Sequence, residues 1–417
     1  MVLFLAAAFA VTLLPLAVTS LVPISAIDVA AFVFDPWTPS PAVYDSHGSN
    51  WTEWNLVRNA LPRFPGHQQP HVPLWGEIDT GLSSTWDMLN AEALDHGINV
   101  YLWDFYWWQD APENPLLVRG LEAFLASQSK NTMKFAIMWA NQDWNDLFPA
   151  KRLQASAPLF HGKMDAPTFT TMTDFWIQNY LQLPNYYSVP SLLNASLRCP
   201  LVNIYLLDKL VEGLGGLPAA VDAFSSFRSR AANVGISCLH IQADGIGVRS
   251  VTGKAALTSL NISSVTDYCW QHFQGMPDFP ITEYAPYADA SLARLPGLRA
   301  AVAPLPYVPN FSVAWDPSPR TVQSDAYDNW GYPSTAVLQP TPLEMQIALN
   351  KTATAVAADC DPTWCMITVY AYTEFSEGGS LWPTVLDGYG RLDAFKAVFG
   401  ARQGVSEPAS PSRVISY

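Results

Sequence analysis

Short apolar runs rich in β-branched and aromatic residues recur along the chain, and we predict that each forms a β-strand. The eight runs are Val29–Phe34, Ile98–Trp103, Lys134–Trp139, Leu201–Leu206, Ser237–Gln242, Ser264–Cys269, Phe311–Trp315 and Met366–Tyr372. Amphipathic segments predict helices at Ser84–His96, Pro218–Val234 and Pro342–Ala358. Because nearly continuous apolar strands alternate with helices, the pattern predicts a parallel sheet buried on both faces.

The number of predicted strands favours an α/β fold of the (β/α)8 TIM-barrel type. An open doubly wound sheet is the competitor, but no Gly-x-Gly-x-x-Gly motif follows the first strand. Two long segments, Asp35–Gly97 and Ala140–Pro200, are predicted loop insertions that line the cleft, because βα loops build the active-site face of a barrel. We expect residues 27–402 to form one catalytic domain, followed by a disordered tail at 403–417.

The first 26 residues carry no charge and combine a long apolar run with small residues, which predicts a signal peptide or a signal anchor. A membrane is an expected partner only if this segment is an uncleaved anchor. Five Asn-x-Ser/Thr triplets agree with a secretory protein that is extracellular or lies in the ER or Golgi lumen. These predicted glycosylation sites are Asn50, Asn194, Asn261, Asn310 and Asn350.

Composition narrows the expected partners. The net charge is −14 over 417 residues, and no basic stripe occurs, which argues against nucleic acid. Five cysteines fit an oxidising compartment. Cys360 and Cys365 are close enough to close a short loop, but the connectivity stays open and one thiol must be left over. No Cys-x-x-Cys or His-Glu-x-x-His motif occurs, so we predict no metal and no cofactor.

Polar and aromatic side chains follow the ends of most predicted strands. Since the carboxyl ends of barrel strands meet at one rim, we expect these side chains to share a cleft. Carboxylates and amides bind sugar hydroxyls, and indoles pack on pyranose faces, so the expected partner is an oligo- or polysaccharide. The candidate substrate-binding residues are Glu53, Trp54, His67, Asp104, Tyr106, Trp107, Asn141, Asp143, Trp144, Asp208, Trp315 and Asp316.

The sharpest motif is the run from Tyr370 to Gly379, YAYTEFSEGG, which contains Glu374 and Glu377. Two carboxylates three residues apart face a common point if the chain turns helically. Glycosidic cleavage needs one neutral acid and one ionised carboxylate, and crowding two carboxyl groups raises the pKa of one of them. We therefore predict that Glu374 and Glu377 are catalytic. The alternative is two solvated loop glutamates.

Several motifs together resemble the glycoside hydrolase family 99-like proteins, a group that includes proteins named as WbsX-type glycosyltransferases. The resemblance extends from about Ala30 to Gly400. The matching stretches are Asn50–Trp54, Phe64–Pro70, Met138–Trp144, Ile204–Lys209, Pro309–Asp316 and Thr373–Gly378.

The resemblance implies a retaining endo-acting glycosidase for α-mannosides or a related polysaccharide. It implies that Glu374 deprotonates the sugar 2-hydroxyl, which attacks C1 to form a 1,2-anhydro sugar. It also implies that Glu377 protonates the leaving oxygen and then deprotonates water. The chain departs from the family's Asn-Glu-Trp run, since Thr373 and Phe375 flank Glu374. We expect this change to affect contacts with the substrate rather than the acid/base pair.

Two other functions stay open on the sequence. A WbsX-type glycosyltransferase would bind a nucleotide-sugar, but the chain shows no Gly-rich phosphate loop and no convincing Asp-x-Asp motif. A catalytically silent carbohydrate-binding barrel would agree with the changes at Thr373 and Phe375.

Overall fold

A computed structural model of the protein describes residues 22–146, 148–191 and 194–402. The predicted tail lies outside these residues, and only 22–26 of the predicted leader lie within them. Within these three ranges, no helix has both the length and the apolar character that crossing a bilayer requires.

Eight parallel strands form a nearly closed barrel, which confirms the predicted fold. They are β1 Asp28–Val33, β2 Val100–Phe105, β3 Lys134–Trp139, β4 Arg198–Ile204, β5 His240–Asp244, β6 Ser264–Thr266, β7 Asn310–Ser312 and β8 Met366–Tyr370. The strand order is β7-β8-β1-β2-β3-β4-β5-β6. Between β6 and β7 the ladder is continued by one parallel pairing, Val265 with Tyr307.

Helices cover the outside of the barrel and extend its loops. They are α1 Tyr44–His47, α2 Trp54–Asn59, α3 Ser83–Asp95, α4 Arg119–Ala126, α5 Ala166–Asn179, α6 Leu207–Gly213, α7 Leu217–Asn233, α8 Gly245–Val248, α9 Val251–Ser259, α10 Tyr284–Ala293, α11 Leu295–Val302, α12 Pro342–Ala357 and α13 Gly390–Phe399. Three short strands lie off the barrel: Trp144–Asn145 pairs with Pro158–Phe160, and Ser188–Pro190 pairs with β4.

The two faces of the strands bury different chemistry. On the outer face, Trp103 of β2 packs on Trp86 of α3 with ring centroids 4.8 Å apart. On the inner face, Nδ2 of Asn203 donates to Oε1 of Gln242 at 2.9 Å, and Nε2 of Gln242 donates to Oγ of Ser264 at 3.1 Å. The barrel interior therefore contains a hydrogen-bonded polar layer, as buried polar groups require.

The ends of some strands differ from their predicted positions, and side chains near these ends form a disulfide or cap a helix. The fifth strand was predicted at Ser237–Gln242 and lies at His240–Asp244. Cys238 is tied to Cys199 by a disulfide, and Asp244 accepts a hydrogen bond from the Ile246 amide, which caps α8. The sixth to eighth strands end before their predicted ends, because the residues that follow turn into loops around the carboxyl end of the barrel.

Two disulfides, Cys199–Cys238 and Cys360–Cys365, fix the connectivity that the sequence left open. Cys269 is the remaining thiol and is buried. Four predicted glycosylation sites are exposed: Asn50, Asn194, Asn261 and Asn350.

The prediction for Asn310 is wrong. This asparagine begins β7, is 3% exposed, and donates through Nδ2 to the carbonyl of Tyr268 at 2.9 Å. A glycan on a buried amide inside the barrel is sterically excluded.

Candidate functional site

A cavity of about 690 Å³ opens at the carboxyl end of the barrel. Residues that follow all eight strands line it, as the barrel topology predicts. Seven of the predicted site residues line the cavity: Asp104, Tyr106, Asp143, Trp144, Trp315, Glu374 and Glu377.

The two long insertions contribute unequally to the wall. Ala140–Pro200 supplies lining residues between Ala140 and Phe148. No residue of Asp35–Gly97, all of which the structure describes, lines the cavity, so the expectation for this segment is wrong. It forms a layer behind the site instead, because Glu53 reaches Arg320 and His67 reaches Asp316 from that side.

Both predicted catalytic carboxylates bind the same guanidinium group. Glu374 and Glu377 follow β8, and Glu377 belongs to a 3-10 helical turn, Phe375–Glu377. Nη2 of Arg320 donates to Oε2 of Glu374 at 3.1 Å, and Nη1 donates to Oε1 of Glu377. Both glutamates are buried, with 4% and 6% exposure. The chain therefore turns as predicted, and the shared arginine holds the two carboxyl groups at one point of the cavity wall.

Glu53 completes the cluster from behind. Its Oε2 accepts from Nη2 of Arg320 at 2.9 Å and from the Ser376 hydroxyl. Glu53 is fully buried and does not line the cavity. Burial raises the pKa of its carboxyl, while the charge of Arg320 lowers it. Because one buried cation faces three carboxyl groups, the site favours the retention of a proton within the cluster.

Glu377 is the glutamate with the most donors. Besides Arg320, the Tyr332 hydroxyl donates to its Oε1 at 2.6 Å, and the Tyr370 hydroxyl donates to its Oε2. These three donors therefore hold the Glu377 carboxyl group in one orientation.

Glu374 has fewer hydrogen-bond donors, Arg320 and Tyr268. Burial, and then the nearby charge of Glu377, raise the pKa of Glu374 well above its usual range. The Tyr268 hydroxyl lies 2.8 Å from Oε1 of Glu374 and 2.9 Å from Oδ2 of Asp104. Burial also raises the pKa of Asp104 well above its usual range. The single proton of the Tyr268 hydroxyl can be donated to only one of the two carboxyl groups. The other contact is a hydrogen bond if Glu374 or Asp104 is protonated and donates to the Tyr268 oxygen.

A second polar group holds the backbone beside Glu377. Nε2 of His67 lies 2.8 Å from Oδ2 of Asp316, and Nε2 of Gln69 donates to the same oxygen at 2.6 Å. Burial alone would raise the pKa of Asp316, but the hydrogen bond and charge of His67 lower it to about 2. The Asp316 amide donates to the Glu377 carbonyl at 2.5 Å. His67 and Asp316 thus position the backbone of Glu377, and neither residue lines the cavity.

Four further predicted contacts with substrate lie outside the cavity lining, each with a structural role. The Trp54 ring packs 4.3 Å from that of Trp37, and Trp107 packs on Phe175 of α5. Asn141 exchanges two hydrogen bonds with the backbone of Leu206, which joins the loops after β3 and β4.

Asp208 is the last of these four. It accepts from the Lys209 amide in the first turn of α6, so it stabilises the start of this helix.

The departure from the family motif also faces away from the cavity. Thr373 donates through its hydroxyl to the Phe34 carbonyl, and Phe375 packs 5.4 Å from the Trp54 ring. Neither side chain lines the cavity. The expectation that these changes alter substrate contacts is therefore wrong; they alter the packing behind the glutamates.

The sequence analysis missed the residues that organise the site. Arg320 ends a 3-10 turn, Ser318–Arg320, and Tyr268, Tyr332 and Tyr370 carry the hydroxyls that reach the carboxylates. A signal existed, because no basic residue was assigned to a site with several predicted carboxylates, and carboxylates that become buried require a cation. The position of that cation depends on tertiary structure, which sequence spacing does not specify.

The first part of the chain matches a known family. Residues 29–186 match the model described as "Glycosyltransferase WbsX". Two curated proteins from Xanthomonas campestris pv. campestris, both named "Uncharacterized protein WxcX", are 23% identical to this chain. Each alignment covers 93% of this chain and 52% of the relative. The chain thus spans about half the length of the curated relatives it matches.

Solved structures share the barrel. The GH99 endo-alpha-mannosidase from Bacteroides thetaiotaomicron is 12% identical, with a TM-score of 0.50 over 86% of this chain and 89% of that one. A "Glycoside hydrolase-like protein" is 13% identical, with a TM-score of 0.54 over 89% and 94%. At such identities the likeness shows the fold. Residues 29–186 are thus similar in sequence to the WbsX family, and the barrel has the same fold as these solved structures.

Proposed function

We propose that the chain is a retaining glycoside hydrolase that cleaves α-mannoside-type or related polysaccharides by endo action. The observation that carries the proposal is that Glu374 and Glu377 share the guanidinium of Arg320 at the wall of a 690 Å³ cavity. The volume lies in the range of small-molecule sites. The α-mannoside class is supported by the name of the solved enzyme with the same fold.

The proposed reaction has two steps. In the first, one glutamate accepts the proton of the sugar 2-hydroxyl as O2 attacks C1, and the other glutamate protonates the departing oxygen as its bond to C1 breaks. In the second, water attacks C1 of the 1,2-anhydro sugar, its proton passes to the second glutamate, and O2 regains a proton from the first. Two inversions at C1 retain the configuration, and O2 gains from its proximity to C1.

The family roles require a change of protonation state. The resemblance makes Glu374 the base and Glu377 the acid, whereas burial and the charge of Glu377 raise the pKa of Glu374 and favour its neutral form. The proposal therefore includes a proton shift on substrate binding. The Tyr268 hydroxyl, which touches both Glu374 and Asp104, offers a route by which Glu374 can lose its proton.

Aromatic side chains supply a surface for sugar rings. Tyr332 lines the cavity and is 44% exposed, and its ring lies 6.0 Å from that of Trp315. The Tyr332 hydroxyl donates to Glu377, so a pyranose that packs on this ring would lie next to the Glu377 carboxyl group. This arrangement supports a carbohydrate substrate.

Hydrolysis of α-mannan oligosaccharides, with product anomers followed by NMR, tests the proposal. Wild type should release a product that retains the α configuration, and Glu377→Gln should lose activity by roughly 10²- to 10⁴-fold while folding normally. Glu212→Gln, which breaks the exposed pair with Lys163, is the matched control and should keep full activity. Inverted product, or full activity in Glu377→Gln, would exclude this mechanism.

An aryl α-mannoside with an acidic phenol separates the two roles. Such a leaving group needs no protonation, so the variant without the general acid recovers much of its activity, whereas the variant without the base does not. If Glu377→Gln recovers activity on this substrate, Glu377 is the acid and Glu374 the base. If only Glu374→Gln recovers activity, the two roles are reversed.

A second candidate is a glycosyltransferase, which the description of the matching family favours. Calorimetric binding of GDP-mannose or UDP-glucose, together with transfer and no hydrolysis, would support it over the hydrolase.

We also propose that the protein works in the secretory pathway or outside the cell. Disulfides persist in oxidising compartments, and the structure contains Cys199–Cys238 and Cys360–Cys365. Peptide mapping of the secreted protein should find glycans at exposed triplets such as Asn350 and none at Asn310.

A further inference from the structure

Three metal-ligating side chains meet at the carboxyl ends of β5 and β6. Asp244 ends β5, Asp267 follows β6, and His272 ends a 3-10 turn, Trp270–His272. One ligand atom from each lies within 4.8 Å of the other two. Both aspartate side chains are buried, with 1% and 0% exposure. No part of the proposed hydrolytic mechanism uses them.

The imidazole has one nitrogen free for a ligand. Nδ1 of His272 is buried and has no hydrogen-bond partner among the described residues. It lies 3.7 Å from Oδ1 of Asp244, too far for a hydrogen bond. Two ligands of one transition-metal ion, each about 2.0–2.2 Å from it, are roughly 3–4 Å apart. The gap between these atoms therefore has the size that a bridging cation requires.

Neighbouring residues form hydrogen bonds that fix the orientation of His272 and Asp267. Nε2 of His272 lies 3.2 Å from the Tyr205 hydroxyl. Arg249 donates to Oδ1 of Asp267 at 2.6 Å, and the Tyr307 hydroxyl donates to Oδ2 at 2.6 Å. Such second partners fix the orientation of metal-binding imidazoles and carboxylates, and each carboxylate oxygen keeps a lone pair for an ion.

Arg249 pairs with Asp267, and His272 lies beside Asp244. One imidazole and two carboxylates form a ligand set that suits divalent ions such as Mn²⁺ and Zn²⁺. We propose that Asp244, Asp267 and His272 bind one divalent cation, independently of the hydrolase proposal.

The proposed site lies in the wall between two cavities. His272 lines the 690 Å³ cavity, while Asp267, Arg249 and Tyr307 line a smaller cavity of about 130 Å³. An ion held by these side chains would lie beside the larger cavity, which His272 lines. The sequence analysis predicted no metal because the three ligands do not follow a short motif; the barrel topology brings them together.

The test uses the full-length protein, treated with chelator, dialysed and titrated with Mn²⁺ or Zn²⁺. Free Mn²⁺ is followed by EPR and Zn²⁺ by calorimetry. Wild type should bind about one equivalent with an apparent Kd below roughly 10 µM, and the ion should raise the melting temperature. Asp244→Asn and His272→Gln should weaken binding by about 100-fold or more.

His161→Gln is the matched control, because His161 forms an exposed pair with Asp110 and lines neither cavity. It should bind one equivalent as wild type does. The chelated variants must melt cooperatively, so that a loss of binding is not a loss of folding. If neither ion binds to wild type, or if Asp244→Asn and His272→Gln bind as wild type does, the three residues form only a structural ion-pair network and the proposal is overturned.

Discussion

Tyr370 and Gly379 are so close that a Cβ atom at position 379 would lie 2.3 Å from Cε1 of the tyrosine ring. From this position the Tyr370 hydroxyl donates to Oε2 of Glu377. The second glycine of the Tyr370–Gly379 motif therefore makes room for a side chain that holds the carboxylate of Glu377. The neighbouring Gly378 has φ +70°, and a Cβ there would lie 2.9 Å from Cβ of Asp316.

Gly379→Ala should impair the chemical step by displacing the Tyr370 ring. We expect kcat to fall by about tenfold or more, with a similar fall in Tyr370→Phe, because both changes remove one hydrogen bond from Glu377. The double variant should be little worse than either single variant, since both act through one contact. Gly297→Ala, where an added Cβ meets nothing within 4 Å, is the control. Additive losses in the double variant would contradict this account.

Arg320→Met should destabilise the protein strongly. The substitution leaves Glu53, Glu374 and Glu377 buried without their cation, and breaking such a network costs about 3–5 kcal/mol. The free energy of unfolding from urea titration measures the loss. Arg152→Met breaks the exposed pair with Asp328 and should have little effect on the free energy of unfolding, because solvent screens this pair. Equal effects of the two substitutions would show that the buried cluster is not held by its arginine.

The sequence predicts the fold well because the barrel is built from local patterns. Each strand is an apolar run, and each helix such as α3 or α12 has an amphipathic period. The predicted and observed helices at α12 differ by one residue at the end. Strand ends are less well predicted: β5 extends past its predicted end at Gln242 to Asp244, whose side chain also caps α8.

The sequence predicts those residues of the site that lie at or shortly after the end of a strand. Asp104 lies near the end of β2, Glu374 and Glu377 lie in the loop after β8, and all three line the cavity, as expected from barrel topology. Arg320 and Tyr332 come from loops without a pattern, and their places depend on how those loops fold over the barrel. For the same reason Glu53 and His67, placed in the cleft by motif, lie behind it.

The two disulfides should contribute unequally to stability. Cys199–Cys238 closes a loop of 39 residues and Cys360–Cys365 one of 5. The chain-entropy model gives about 4 kcal/mol for the first and about 2 kcal/mol for the second. We expect Cys199→Ser with Cys238→Ser to lower the unfolding free energy more than Cys360→Ser with Cys365→Ser. Urea unfolding of both double variants is the measurement, and the reverse order would show that native-state strain outweighs loop closure.

The buried carboxyl group of Asp35 should make stability depend on pH. Burial raises the pKa of Asp35 to about 7, from 3.8 when exposed. Between these values the folded protein holds a proton that the unfolded chain releases, so stability is highest below about pH 4 and falls as the pH rises to about 7. The full loss is about 4 kcal/mol above this range. Asp35→Asn cannot ionise, so its unfolding free energy relative to wild type should rise by about 3–4 kcal/mol between pH 4 and pH 8. Urea titrations of both proteins across this range provide the test; a difference that is the same at both ends would mean that Asp35 is ionised in the folded protein throughout.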